Sequence, residues 1–152
     1  MGIHVLASTF SKSRDIFAKG LYIMPKSHDL KPQIFEYILP GDWLVLAGKT
    51  DADNDRLSLK IAKSDDWWFH VRGMPGSHVV LRAKPGEEPD KDILEAAAAI
   101  AAYHSKARNG GVVAVSCTQA RYVTKPKGAK PGTVSIRKER VLKVRPALPK
   151  EA

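Results

Sequence analysis

The chain has 152 residues, 43% hydrophobic and 27% charged, which fits one globular domain with a real core and excludes a disordered composition. Its net charge of +9 is unevenly placed: residues 1–102 carry 13 basic and 14 acidic side chains, whereas residues 103–152 carry 12 basic and 2 acidic. Such asymmetry is the footprint expected of polyanion binding, against the blander reading of a basic surface kept for solubility.

No run approaches the roughly 20 apolar residues of a bilayer-crossing helix, and the N-terminus lacks a basic stretch followed by an apolar one. No membrane partner is therefore expected, and the cytoplasm is the expected compartment. Met1-Gly2 opens like a myristoylation site, but Leu6 stands where that motif wants Ser or Thr. The single cysteine, Cys117, lies in an apolar run and is expected to be a small buried hydrophobe.

Residues 1–40 are broken by Gly20, Pro25, Pro32 and Pro40. Residues 21–24 read as a short strand, and 33–39 as a strand or a helical turn. Residues 42–47 read as a buried strand ended by Gly48. Asp53 or Asn54 is expected to cap a short helix over 56–63. Residues 66–72 and 77–82 read as two strands joined by the loop Gly73-Met74-Pro75-Gly76. A helix capped by Asp90 or Asp92 is expected to run to about Arg108, stopped by Asn109-Gly110. Its Ala-rich middle allows it to lie close on a sheet. Residues 112–118 form a buried strand and 121–124 continue the pattern. After a Lys-, Pro- and Gly-rich loop over 125–132, residues 133–136 and 141–144 are expected to form a second hairpin turned at Lys138-Glu139. The tail after Arg145 is expected to fray. The fold class is α+β: a mostly antiparallel sheet with one long Ala-rich helix on a face.

Three clusters could carry chemistry. The first is Asp66-Trp67-Trp68-Phe69-His70 with the strand that follows it. Strand alternation puts Trp67, Phe69 and Val71 on one face and Trp68, His70 and Arg72 on the other. If the second face is open, that triplet can stack on bases and pair with phosphates; otherwise Trp68 and His70 belong to the core. With residues 73–76 unpaired, Arg72 faces Ser77 and Val71 faces His78, which separates His78 from His70 unless a bulge intervenes. The second cluster is Ser105-Lys106-Ala107-Arg108 at the helix end. The third is Arg121 with Lys125, Lys127 and Lys130, spaced to track a phosphate backbone. No phosphate-cradling loop, nucleophile elbow or zinc-ligand spacing is present, so no catalytic residue, metal or cofactor is expected.

At five places the sequence resembles the NFACT-R domain of ribosome-quality-control proteins: Asp53-Asn54-Asp55, Asp66-Trp67-Trp68-Phe69-His70, Pro75-Gly76-Ser77-His78-Val79-Val80, the Ala-rich stretch 96–108, and the loop 125–132. They stand in the family's order over roughly 42–146, with 1–41 as an N-terminal extension and 147–152 as a tail. The resemblance implies an RNA-binding module in stand-alone form, contacting structured RNA such as rRNA or tRNA, with the ribosome as a further partner. The expected RNA-binding residues are Trp68, His70, Arg72, Lys106, Arg108, Arg121, Lys125, Lys127 and Lys130. Two other readings stand beside it: an RNA-processing or RNA-modifying enzyme using His70, His78 and Asp66, and a domain that docks on ribosome-associated proteins.

Overall fold

A computed structural model describes residues 33–150; the strand expected over 21–24 lies outside them. The chain builds a six-stranded sheet from β1 (Ile34–Leu39), β2 (Trp43–Gly48), β3 (Trp67–Val71), β4 (Val79–Leu81), β5 (Val113–Gln119) and β8 (Arg140–Val144). Their spatial order is β1-β2-β4-β3-β5-β8, and each neighbouring pair is antiparallel. A second, two-stranded sheet pairs β6 (Val123–Thr124) with β7 (Ser135–Ile136). The fold is α+β with an antiparallel sheet, as the strand pattern and turn residues imply.

One face of the large sheet is dry. Helix α2 (Lys91–Tyr103) lays Ile93, Leu94, Ala97, Ala98, Ile100 and Ala101 on Val45, Phe69, Val71, Val79, Leu81, Val115 and Cys117. Alanine at the contact positions brings the helix axis close to the sheet, and burying side chains of the Val, Leu or Phe class stabilises by about 1.5–3 kcal/mol each. Cys117 is buried here, and that burial pushes its thiol up to about 11. Asp90 caps the helix, its carboxylate accepting from Ile93 N at 2.9 Å. The helix ends at Tyr103, five residues short of the stop expected at Arg108. Beyond it the backbone leaves helical geometry to bond the β3–β4 loop: Ser77 N donates to the His104 carbonyl at 2.9 Å, and Ser105 bridges Gly76. The tail expected to fray is held as far as residue 148. Ala147 N donates to the Ala99 carbonyl at 3.2 Å, and Leu148 packs on the core.

The other face is covered by α1 (Asp51–Arg56), a π-helical turn over Leu57–Ile61 and the small β6–β7 sheet. Leu46, Leu57, Trp68, Val80 and Val123 form its core. The cap of α1 is Thr50, not Asp53 or Asn54. Thr50 and Asp53 form a reciprocal capping box, so the helix starts at Asp51, five residues before the start expected at Arg56.

Two pairings also differ from the expected ones. Residues 133–136 and 141–144 do not pair with each other. Thr118 Oγ1 donates to the Arg137 carbonyl at 2.6 Å, and the chain reverses at Lys138, with φ of 56°, so that β7 joins β6 while β8 joins β5. The β3–β4 register is Trp67↔Leu81, Trp68↔Val80 and Phe69↔Val79. This is one residue away from the register expected from a four-residue loop. Since side chains alternate, the slip moves His78 to the face that holds Trp68 and His70.

Candidate nucleic-acid interface

The second face carries a continuous polar chain. Trp68 Nε1 donates to Ser58 Oγ at 2.8 Å, Ser58 Oγ donates to His78 Nδ1 at 2.7 Å, and His78 Nε2 donates to the Gly132 carbonyl at 3.1 Å. An indole N–H only donates and a carbonyl only accepts, so Nε2 carries a proton; burial keeps the ring neutral, and Nδ1 then accepts from Ser58. Burial, reinforced by the neighbouring His70, depresses the His78 pKa to about 4. Asn54 Oδ1 holds the His78 backbone N–H at 3.0 Å.

The acidic turn and the lysine loop tie down the same corner. Asp55 accepts from Gly132 N at 3.0 Å and lies 3.0 Å from Lys125 Nζ. Lys125 also donates to the carbonyls of Thr133, at 2.8 Å, and of Lys130. Gly132 has φ of +85° and stands so close to α1 that an added Cβ would lie 2.9 Å from Asp51 Oδ1, which is why glycine ends the loop. Asp53 serves α1 by accepting from Thr50 N at 3.1 Å and holds the start of β1 through Gln33 N at 2.8 Å. Much of what marks the family in sequence is therefore internal bonding.

A cavity of about 420 Å³ opens beside this chain, lined by His70, Arg72, Met74, Ser116, Val134 and Ile136 among others. His70 is half-buried, 5.3 Å from the His78 ring and 6.0 Å from the Trp68 ring between centroids. Burial lowers its pKa, opposed by a hydrogen bond with the Gly76 backbone. A neutral imidazole facing an open cavity can stack on a planar ring. Arg72 is exposed, with its Nε 3.6 Å from Glu139, whose carboxylate also accepts from Ser116 Oγ.

The nine residues expected at an RNA site fall into distinct groups. Trp68 is 2% exposed and cannot stack on a base, which corrects the open-face reading. Its neighbours His70 and Arg72 line the cavity. Lys125 is held inside the loop by Asp55. Lys127 and Lys130 are exposed, and among the described residues neither forms an ion pair; their loop leads to Gly132 in the cavity wall. Arg121 pairs with Asp65. Lys106 and Arg108 line a second cavity beyond the end of α2, together with Phe35, Lys49 and His104. Sequence reasoning singled out none of these last three. Phe35 and Tyr37 alternate along β1, but nothing in the sequence brings His104 to them.

Asp66 is separate from the histidine pair. It is 2% exposed, bonded to Arg82 Nη1 at 2.7 Å, Ala83 N at 2.8 Å and Lys63 N at 2.9 Å. Among the described residues no group of three or more His, Cys, Asp or Glu side chains is arranged to hold a metal ion, and no helix is long and apolar enough to cross a membrane.

Comparison with known proteins places this geometry. Residues 33–138 match the family described as "NFACT protein RNA binding domain". The Rqc2 homolog RqcH of Bacillus subtilis (strain 168) is 36% identical over 143 residues, covering 90% of this chain and 25% of that protein. RqcH of Streptococcus suis (strain 05ZYH33) is 41% identical over 106 residues, covering 70% of this chain and 19% of the relative. The chain thus spans about a quarter or less of the curated relatives it matches. A solved structure, the C-terminal part of the fibronectin/fibrinogen-binding protein of Streptococcus suis, superposes with a TM-score of 0.71 at 34% identity, covering 88% of this chain and 55% of that one. With the family match spanning most of the described residues, the chain belongs to the NFACT RNA-binding domain family.

Proposed function

We propose that this chain binds RNA at the end of the sheet where the His70 cavity opens. One observation carries the reading: a half-buried imidazole and an exposed guanidinium line one cavity, and the loop that leads into its wall presents Lys127 and Lys130 without carboxylate partners among the described residues. Cations that no protein anion neutralises are free to displace counterions from a phosphate backbone, and His70 gives a base a surface to stack on. The family match supports RNA as the partner and kinship with RqcH the ribosome as the setting; the RNA we propose is a structured one such as rRNA or tRNA.

A catalytic role for the histidines has less behind it. His78 already spends both ring nitrogens on Ser58 and Gly132, and Asp66 spends its carboxylate on Arg82. Filter binding of a ribosomal RNA fragment at several salt concentrations tests the proposal. Affinity should fall steeply with salt, and His70→Ala should weaken binding about fivefold or more with the protein still folded. Binding that ignores both salt and His70 would remove the reading.

A further inference from the structure

The second cavity, also about 420 Å³, lies at the same end of the sheet. The two cavities flank one loop: Gly73 and Met74 line the first, Pro75, Gly76 and Ser77 the second. Phe35 and His104 stack there with centroids 4.5 Å apart and planes at 17°. The pair is fixed from behind, since Tyr37 Oη and His104 Nε2 are 2.6 Å apart. Phe35 is 36% exposed on the edge strand β1. Cations stand close to it: Lys49 Nζ lies over the Phe35 ring, 4.5 Å from its centroid, where it would have to swing aside for a base to stack, and exposed Lys106 and Arg108 stand in the cavity wall. Arg108 is itself set over the Tyr103 ring at 4.0 Å, with its Nε donating to the Tyr103 carbonyl at 2.6 Å.

We infer that the Phe35–His104 platform is a second nucleobase subsite, taking one unpaired base of the same RNA strand that enters the His70 cavity, with Lys49 and Lys106 on its phosphates. The inference rests on the RNA-binding reading above and adds a place and a strand path to it. A partly exposed aromatic pair in a cavity lined by three cations, Lys49, Lys106 and Arg108, against one carboxylate, Asp51, suits a base with its phosphate better than an apolar side chain. Desolvation, aided by the nearby Arg108, lowers the His104 pKa, so the ring that stacks is neutral. The Gly76 position keeps the crossing low. A Cβ there would lie 2.9 Å from Ser105 Cβ, so loop and helix end stay in contact and the two cavities keep a fixed separation.

The test uses the full chain and two single-stranded oligoribonucleotides of mixed sequence, a dimer and a decamer, with fluorescence anisotropy as the readout. Phe35→Ala should weaken decamer binding about fivefold or more while leaving its salt slope unchanged, because stacking releases no counterions. Lys106→Gln should lower the slope magnitude by about 0.7. The circular dichroism melt of Lys106→Gln should match the parent, and Phe35→Ala should remain folded with a lower melting temperature, since it loses its stack on His104. If both variants bind the decamer like the parent while His70→Ala loses binding, the subsite is overturned and the RNA reading stands. If the parent itself binds neither oligonucleotide nor a ribosomal RNA fragment, the RNA reading falls and the subsite with it.

Discussion

The two faces of the sheet are held by different physics. Under α2 the contacts are mostly alanine, valine, leucine and isoleucine, with Phe69 and Cys117 among them. Under α1 and the lysine loop, the apolar cluster around Trp68 is completed by Ser58, His78, Asp55 and Lys125, and each bond there has one direction and one geometry. The first face supplies bulk stability. The second supplies position: it fixes the wall of the His70 cavity and the base of the loop that carries Lys127 and Lys130. A polar corner of this kind stabilises only when fully satisfied, which explains why so many of the family's marks sit in it.

Truncation should separate the faces most clearly. Phe69→Ala, on the dry face, should lower stability by about 3–5 kcal/mol in urea unfolding, through lost burial and a residual cavity. His78→Ala should cost about 2–3 kcal/mol by a different route, leaving the Ser58 O–H without its acceptor and the Gly132 carbonyl without its donor. The distinguishing sign is rescue: His78→Gln should recover part of the loss because an amide can still bond on both sides, whereas no polar residue should rescue Phe69. Equal rescue at the two sites would erase the contrast.

Acid should reach one face first. The folded-state pKa of His78 is about 4, below its ordinary value of 6.5. The unfolded chain therefore binds the extra proton between those values. Stability tied to neutral His78 is fully present above pH 6.5 and is lost as pH falls toward 4, by up to about 3 kcal/mol. Melting temperature should decline over that window in the parent and decline less in His78→Gln. A flat parent profile from pH 6.5 to 4 would contradict the assigned tautomer.

Lys125 sharpens the comparison inside the basic third of the chain. Lys125→Met should destabilise by about 1–3 kcal/mol by stranding Asp55 in a partly buried site. Thermal melts read this directly. The same change at Lys127 should fall within about 0.5 kcal/mol of the parent, as for ordinary surface positions.

The strands were legible because apolar runs here end at glycine, proline and acidic turns, and the helix because Asp90 and a run of alanines mark it. The β3–β4 register was not legible. Loop length alone suggests one pairing, but residues 75–77 bond the end of α2, and that tertiary contact shifts β4 by one residue and brings His70 and His78 together. Charge counting found the basic third but could not sort its lysines. Lys125 and Lys127 look alike in sequence, and only Asp55, 70 positions away from the first of them, tells them apart. The Trp68 ring was misplaced because alternation says which residues share a face, not which face is covered. The Phe35–His104 pair was invisible because its partners lie far apart in the chain.

The most direct test of the division between holding and binding is the salt dependence of affinity for single-stranded RNA in two variants. Replacing Lys127 and Lys130 together with glutamine should lower the magnitude of the log–log slope by about 1.4, at about 0.7 per phosphate contact, with the melting temperature unchanged. Replacing Lys125 alone should lower the melting temperature and change the slope by less than a single contact's worth. If the Lys127/Lys130 variant keeps the parent slope, or if Lys125 alone removes a full contact without loss of stability, the assignment of these lysines is wrong.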